Sequence, residues 1–529
     1  MGLRKRIFSA GLLAVIVMVA VGIGASGLAL REQDGTSIFT RQKETIYFWY
    51  TDEALTDYLN SAAVAYGESH HARVIPVLAS GLEYLENINR ASIQSETPPD
   101  LYLISNDSLE KAYLSGLAVR VEESIWDDIK EGCPDAARLA VTYKGEVIGY
   151  PLYFETSALL YNRTYLEDFA GKQLEAEADA AAGEAAMAMI EENGPENVPD
   201  DGMPDLEEAD PETGVIPADG EEIQERVQEI LPSTIRDILE FANEYDAPEQ
   251  VEAVFKWDVT DIFYNYFFVG NYLNVGGEAG DSTANMDIYN ADAIRCLKVY
   301  QDLNQFFSID TKEISYQDVL DDFIQGKVVY MVATTDAVAK LEAAREEGEF
   351  DYEYGIAPVP DIDEILQTRS LSVTNCVVIN GYTNHRKLAE DFARFLASEY
   401  TSSLYPRTGK VAARYGVDYG NVNLQEFVNE YDVSVPMPKM VETSSFWVEL
   451  EVAFSQIWNG ADVNDRLRAL SEKTMTQVTG EPYTEAVIQE EEEAVEEEEY
   501  LDEEELRREA RGETREEDGQ KVTEAEADE

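Results

Sequence analysis

From Thr45 to Gly116 the chain keeps switching between two hydrophobic periods, and that switching restricts the fold more than any other feature. Thr45–Tyr50 (TIYFWY) is a short run of β-branched and aromatic residues, which reads as a buried strand. Thr51 can cap the next helix, and Asp52 and Glu53 then sit in its first turn, where the dipole favours acids. Leu55, Tyr58, Leu59, Ala62 and Tyr66 fall at helical spacing. Arg73–Leu78 is a second strand, Leu85–Ser95 a helix ended by Pro98-Pro99, and Asp100–Ser105 a third strand. A helix over Leu109–Gly116 stops at its glycine. Strand and helix in strict alternation with short connections predict an α/β fold with a parallel sheet. The alternation resumes downstream. Helices are expected over Thr234–Tyr245, Ala291–Phe307, Val319–Phe323, His385–Ser398, Phe446–Trp458 and Val463–Thr476. Strands are expected over Lys327–Val332, Tyr354–Pro358 and Ser372–Ile379.

A chain of 529 residues exceeds one small core and suits two lobes. Its net charge of −66 excludes nucleic acid as a partner, because phosphates are repelled. About half of that charge sits in two segments. Residues 171–230 hold 19 acids and 2 bases, and residues 481–529 hold 23 acids and 5 bases. They read as a solvated insertion and an acidic tail. Cys133, Cys296 and Cys376 are far apart and odd in number, so no disulfide framework or thiolate metal site is expected. His70, His71 and His385 are too few for histidine-based zinc chemistry.

At the N-terminus, Arg4, Lys5 and Arg6 precede Ile7–Leu30, 24 residues without a charge. About 20 apolar residues span a bilayer, and the basic flank stays inside. The stretch reads as an uncleaved transmembrane anchor or as a cleaved signal ending near Ala25-Ser26-Gly27, followed by a linker over residues 31–44. Both readings put the body at the extracytoplasmic face of the membrane, or secreted if the segment is removed.

One stretch stands out from this acidic background. GEVIGYPLYFETSALLYN crowds Tyr150, Tyr153 and Phe154 around a proline and places one acid, Glu155, inside the apolar run. An acid there is costly unless it has partners. The same stretch resembles the crossing between lobes in the extracellular solute-binding proteins of carbohydrate ABC importers, the maltose-binding-protein-like family. Other segments resemble that family in the same order: TIYFWYTDE, TPPDLYLISNDSLEKAYLSGLAVRV, FIQGKVVYMVAT, YGIAPVPD, SLSVTNCVVINGYTNHRKLAEDFARFLASE and SSFWVELEVAFSQIWNGADVNDRLRAL. The resemblance runs from Thr45 to Met475, without the acidic insertion.

It implies a two-lobe, periplasmic-binding-protein-like α/β fold with hinge crossings and solute held between the lobes. Lobe one is expected over 45–152 and 353–398, and lobe two over 153–352 and 399–480. It also implies a monomeric receptor with no catalysis, partnered by the membrane subunits of an ABC permease, and a sugar or oligosaccharide as solute. Sugars need aromatic platforms and a few fixed polar groups, carboxylates above all. By the resemblance, Trp447 is the stacking ring, Glu155 and Asp107 accept hydroxyls, and Tyr264, Tyr266 and Phe267 belong to an aromatic wall. Trp49, Tyr50 and Asp52 stand at the end of the first strand. Thr334-Thr335-Asp336 stands where the family often has an aromatic, with Asp336 as the expected contact. Trp49 also suits a core position, Asp52 a helix cap, and the aromatic cluster FYNYFF a core.

Residues 197–208 (NVPDDGMPDLEE) hold a second signal. Asn197, Asp201, Asp205 and Glu208 fall at positions 1, 5, 9 and 12 of a calcium loop, with Gly202 at 6. Pro199 removes a ligand, and a solvated acidic loop is the competing reading. A calcium-binding surface protein on this scaffold is thus the alternative function. A glycosidase pair of Glu155 and Asp107 is the enzymatic one.

Overall fold

The computed structural model describes residues 43–193 and 220–489 except Ser308 and Glu313, with the side chains at 182 and 184–193 left out. The apolar stretch Ile7–Leu30, the possible calcium positions Asn197, Asp201, Asp205 and Glu208, and the tail from Glu490 lie outside these residues. Among the described residues, no helix is long and apolar enough to cross a membrane.

The strands in chain order are β1 (Thr45–Tyr50), β2 (Arg73–Leu78), β3 (Leu101–Ser105), β4 (Thr142–Tyr143), β5 (Glu146–Val147), β6 (Tyr150–Asn162) and β7 (Ala253–Lys256). They continue as β8 (Asn274–Val275), β9 (Met286–Asp287), β10 (Val328–Thr334), β11 (Tyr354–Ala357), β12 (Leu371–Ile379), β13 (Val411–Ala412) and β14 (Val435–Pro436). Ten of them form one sheet with the spine β2-β1-β3-β12-β6-β10-β7. The expected parallel start holds: β1 pairs parallel with β2 and β3.

The sheet has two ends, each covered on both faces. At the first end, Ile46, Phe48 and Tyr50 pack under the helices Thr56–His70 and Arg386–Arg394. Tyr102, Ile104, Cys376 and Val378 pack on the opposite face. At the second end, one core gathers Leu159, Tyr161, Trp257, Tyr266 and Trp458, and another gathers Phe154, Ala158, Leu160 and Tyr431. These are the two lobes.

β6 joins them. Its first half pairs with β12, and its second half pairs with β10 and β11. Pro151 has no N–H to give the ladder, and the β6–β12 register shifts between Asn375 and Cys376, where Pro151 is met. Of the 13 residues in β6, twelve are buried, and the exception is Glu155. Strand alternation then gives each face of β6 its own role. On the even face Phe154 lies flat on Tyr431 at 3.9 Å and 4°, beneath the helix Asn423–Val433. The odd face passes from Tyr153 in the first lobe's core, through Glu155 and Ser157, to Leu159 and Tyr161 in the second's.

Two expected lobe boundaries move. β11 pairs with β6 in the second lobe's part of the sheet, so the return to lobe one starts at β12 and not at residue 353. Leu404 and Ala412 pack in the first lobe's core, so that lobe extends past residue 398. Both ends of the acidic insertion are helical. Arg163–Asn193 is one helix, and Gly220–Glu229 folds back on it through paired bonds of 2.7 and 2.9 Å from Arg226 to Glu177. The first residues of the tail are likewise held, with Ile488 N donating to Tyr289 Oη at 2.9 Å.

The segment Met437–Val441 sews the lobes together beside the crossing. Asn106, fully buried, donates to Met437 O at 2.6 Å and accepts from Thr374 N at 2.9 Å. Lys439 Nζ donates to Leu139 O at 2.9 Å and to Ala279 O, and Val441 N donates to Glu110 at 2.7 Å. Asn106→Ala leaves a donor and an acceptor unpaired, and is expected to lower stability by about 2 kcal/mol in chemical denaturation.

Candidate functional site

The parallel strands β1 and β3 end where β6 enters the second lobe, and a cavity of about 370 Å³ opens there. Thr51, Asp52, Tyr84, Ser105, Tyr153 and Asn375 are on its wall. Tyr153 and Asn375 are cross-strand partners on β6 and β12, so the hinge strands supply one side and the β1 and β3 loops the other. Beside it, Lys410 Nζ lies 3.1 Å from Glu155 Oε1 and 3.5 Å from Asp52 Oδ2. The same ammonium stands 5.4 Å from the centre of the Tyr153 ring. Burial works against the Lys410 charge, but Glu155 and Asp52 more than offset it, so its pKa is raised above that of a free lysine.

The second lobe contributes the continuation of the same face. Ser157 pairs with Thr334 at the end of β10. Just beyond, Asp336 accepts from Thr334 Oγ1 at 2.5 Å and Tyr316 Oη at 3.0 Å, and pairs with Lys340 at 2.7 Å. Burial pushes the Asp336 carboxyl up, while Lys340, Thr334 and Tyr316 bring it below its ordinary value. Tyr264 stacks on Tyr316 at 4.8 Å and 15°. Trp447, half-buried at the start of the helix Phe446–Trp458, leans on Tyr266 at 5.5 Å. Rings and ionised carboxylates thus occur on both sides of the crossing. Among the described residues, no group of His, Cys, Asp and Glu is placed to hold a metal ion.

A family described as bacterial extracellular solute-binding protein matches residues 61–405. The chain belongs to that family. Among curated relatives of this solute-binding protein, the maltotriose-binding protein of Pyrococcus abyssi (strain GE5 / Orsay) is 32% identical over 84 residues, 16% of this chain and 18% of the relative. The maltodextrin-binding protein MdxE of Bacillus subtilis (strain 168) is 24% identical over 208 residues, 37% of this chain and 48% of the relative. The matches therefore span less than half the length of either relative. A solved extracellular solute-binding protein from Staphylococcus aureus, in complex with maltose, shares the fold with a TM-score of 0.61 at 16% identity, over 83% of this chain and 98% of that one.

In this solute-binding protein the residues singled out from sequence divide into two sets. Asp52 is on the wall of the first-lobe cavity, Glu155 lies beside it through Lys410, and Asp107 accepts from Ser105 Oγ, which is on the wall. Asp52 also caps the short turn Glu53–Leu55, accepting from Ala54 N at 3.0 Å, as its cap reading expects. In the second lobe Tyr264 and Asp336 meet at Tyr316, and Trp447 rests separately on Tyr266. Tyr50 is a correction: it is 2% exposed, sits on the Ile46 and Phe48 side of β1, and donates to Thr56 Oγ1 at 3.0 Å. Tyr266, 1% exposed, is a core ring that backs Trp447. Trp49 points to the other side of β1, into a groove shared with Asn87, Arg90 and Gln94, and is absent from the wall of the Asp52 cavity.

The reading of the sequence named Tyr153 beside Glu155, two residues away on the same face of one strand, but missed Lys410 and Asn375. Lys410 carries no local signal, because only the pairing of β13 with β6 brings it to Glu155. A larger cavity, about 740 Å³, lies between Arg138, Arg369 and Asp432, at the end of the helix that covers the even face of β6. It has no aromatic residue on its wall, whereas the smaller cavity is lined by Tyr84 and Tyr153.

Proposed function

We propose that the protein captures a saccharide of the maltodextrin class between its lobes and delivers it, without turnover, to the membrane subunits of an ABC importer. The observation that carries this reading is the odd face of β6. It carries Tyr153 and Glu155 where the strand passes from one lobe to the other, and around them we read Asp52 and Asp107 as the first lobe's contacts and Trp447 and Tyr264 as the second's. Ionised carboxylates accept from paired hydroxyls, and ring faces take the C–H face of a pyranose. The maltose and maltodextrin ligands in the names of similar proteins support the same class. The basic residues Arg4–Arg6 before the uncharged stretch Ile7–Leu30 support tethering at the extracytoplasmic face.

Thermal unfolding with maltose, maltotriose and maltotetraose tests the reading. A ligand that binds only the native state adds about 2.7 kcal/mol at a hundred times its Kd. A rise in Tm with at least one of these sugars is expected. No shift with any of them, at concentrations up to the millimolar range, overturns the proposal.

A further inference from the structure

Lys410 is drawn between two acids from separate parts of the chain, Asp52 after β1 and Glu155 within β6. All three side chains are partly shielded, at 24% exposure for Lys410, 34% for Asp52 and 27% for Glu155. Two negative charges and one positive leave the group singly negative. Asp52 Oδ1 is already occupied by Ala54 N, and Oδ2 and Glu155 Oε1 face Lys410. Glu155 Oε2 is left to accept from a ligand. The ammonium donates to Glu155 Oε1 and pairs with Asp52, and an ammonium has three donors, so it can also serve a ligand oxygen. Glu83 and Glu86 stand on the wall of the same cavity, with Lys111 paired to Glu86 at 2.6 Å.

We propose that Lys410 is a specificity-determining residue that fills the cation seat between Asp52 and Glu155 and so commits the cleft to uncharged saccharides. This rests on the saccharide reading above. A sugar bearing an ammonium competes with a cation already built into the chain. A sugar bearing a carboxylate meets a surplus of acids. A neutral polyol suits both partners: one hydroxyl donates to Glu155 Oε2, and a neighbouring oxygen accepts from Lys410.

Calorimetric titration of the full chain with maltotriose and with fully deacetylated chitotriose, at mildly acidic pH, tests this. Wild type is expected to take maltotriose and to discriminate strongly against chitotriose. Lys410→Met vacates the seat, so its preference for the neutral sugar should fall by about a hundredfold. This combines about tenfold weaker maltotriose binding with about tenfold stronger, salt-sensitive chitotriose binding. Lys410→Arg should keep the wild-type ratio, and Lys410→Gln should follow the Met variant while keeping length and polarity if the Met variant folds poorly. A ratio unchanged in the Met and Gln variants, with maltotriose still bound, overturns the role of Lys410 alone. Failure of wild type to bind any neutral saccharide overturns the saccharide reading and this proposal with it.

Discussion

Glu155→Ala weakens saccharide binding by about a hundredfold or more, a loss of about 3 kcal/mol. In the proposed saccharide complex the carboxylate accepts from ligand hydroxyls, and it pairs with Lys410, 3.1 Å away. Removing it withdraws the acceptor and leaves Lys410 with Asp52 alone, so the donor drifts as the acceptor disappears. Glu155→Gln keeps the shape but not the charge, and should fall between the two, about tenfold below wild type. Both variants should fold normally, because Glu155 is the one position of β6 that is not buried. Titration calorimetry with maltotriose measures the affinity, and a melting curve without sugar checks the fold. An affinity within twofold of wild type in the Ala variant would mean that the ligand sits elsewhere.

A pH dependence of stability is expected from Glu430. This residue is 6% exposed on the helix Asn423–Val433, with Ser370 Oγ donating to its carboxyl. Burial pushes its pKa from 4.5 up to about 7, against the hydrogen bonds from Ser370 and the Val359 backbone. The native chain therefore holds a proton that the unfolded chain releases above pH 4.5. The contribution is fully present below pH 4.5, shrinks as pH rises, and is gone above about 7. The shift corresponds to about 3 kcal/mol across that window. Glu430→Gln keeps a neutral hydrogen-bonding group at every pH. Urea midpoints measured between about pH 5 and about pH 8 should fall in wild type and stay nearly level in the variant. Equal slopes in the two proteins would place the titration elsewhere.

Much of the scaffold was legible because it is written locally. The runs at Thr45–Tyr50, Arg73–Leu78 and Asp100–Ser105 announced β1, β2 and β3, and the aromatic run around Pro151 announced the crossing. Glu155 was legible because an acid inside an apolar strand has to be explained. Trp49 and Tyr50 show where the reading stopped short: neighbours on a strand face opposite ways, so one cleft does not take both. The lobe boundaries and Lys410 depend on long-range pairing, of β11 and of β13 with β6, and periodicity does not encode which strands meet. The ends of the insertion and of the tail were hidden by their charge, although Val227 is buried and Ile488 is bonded to Tyr289.

The strand that carries Glu155 also runs through both lobes, so the residues proposed to hold solute and the residues that join the lobes are the same ones, and a change at Tyr153, Glu155 or Ser157 acts on both at once. Diversification toward new nutrients has an easier route through groups that approach the strand from outside it. Asp52 and Lys410 reach Glu155 from outside that strand, and they can be exchanged without altering its backbone pairing.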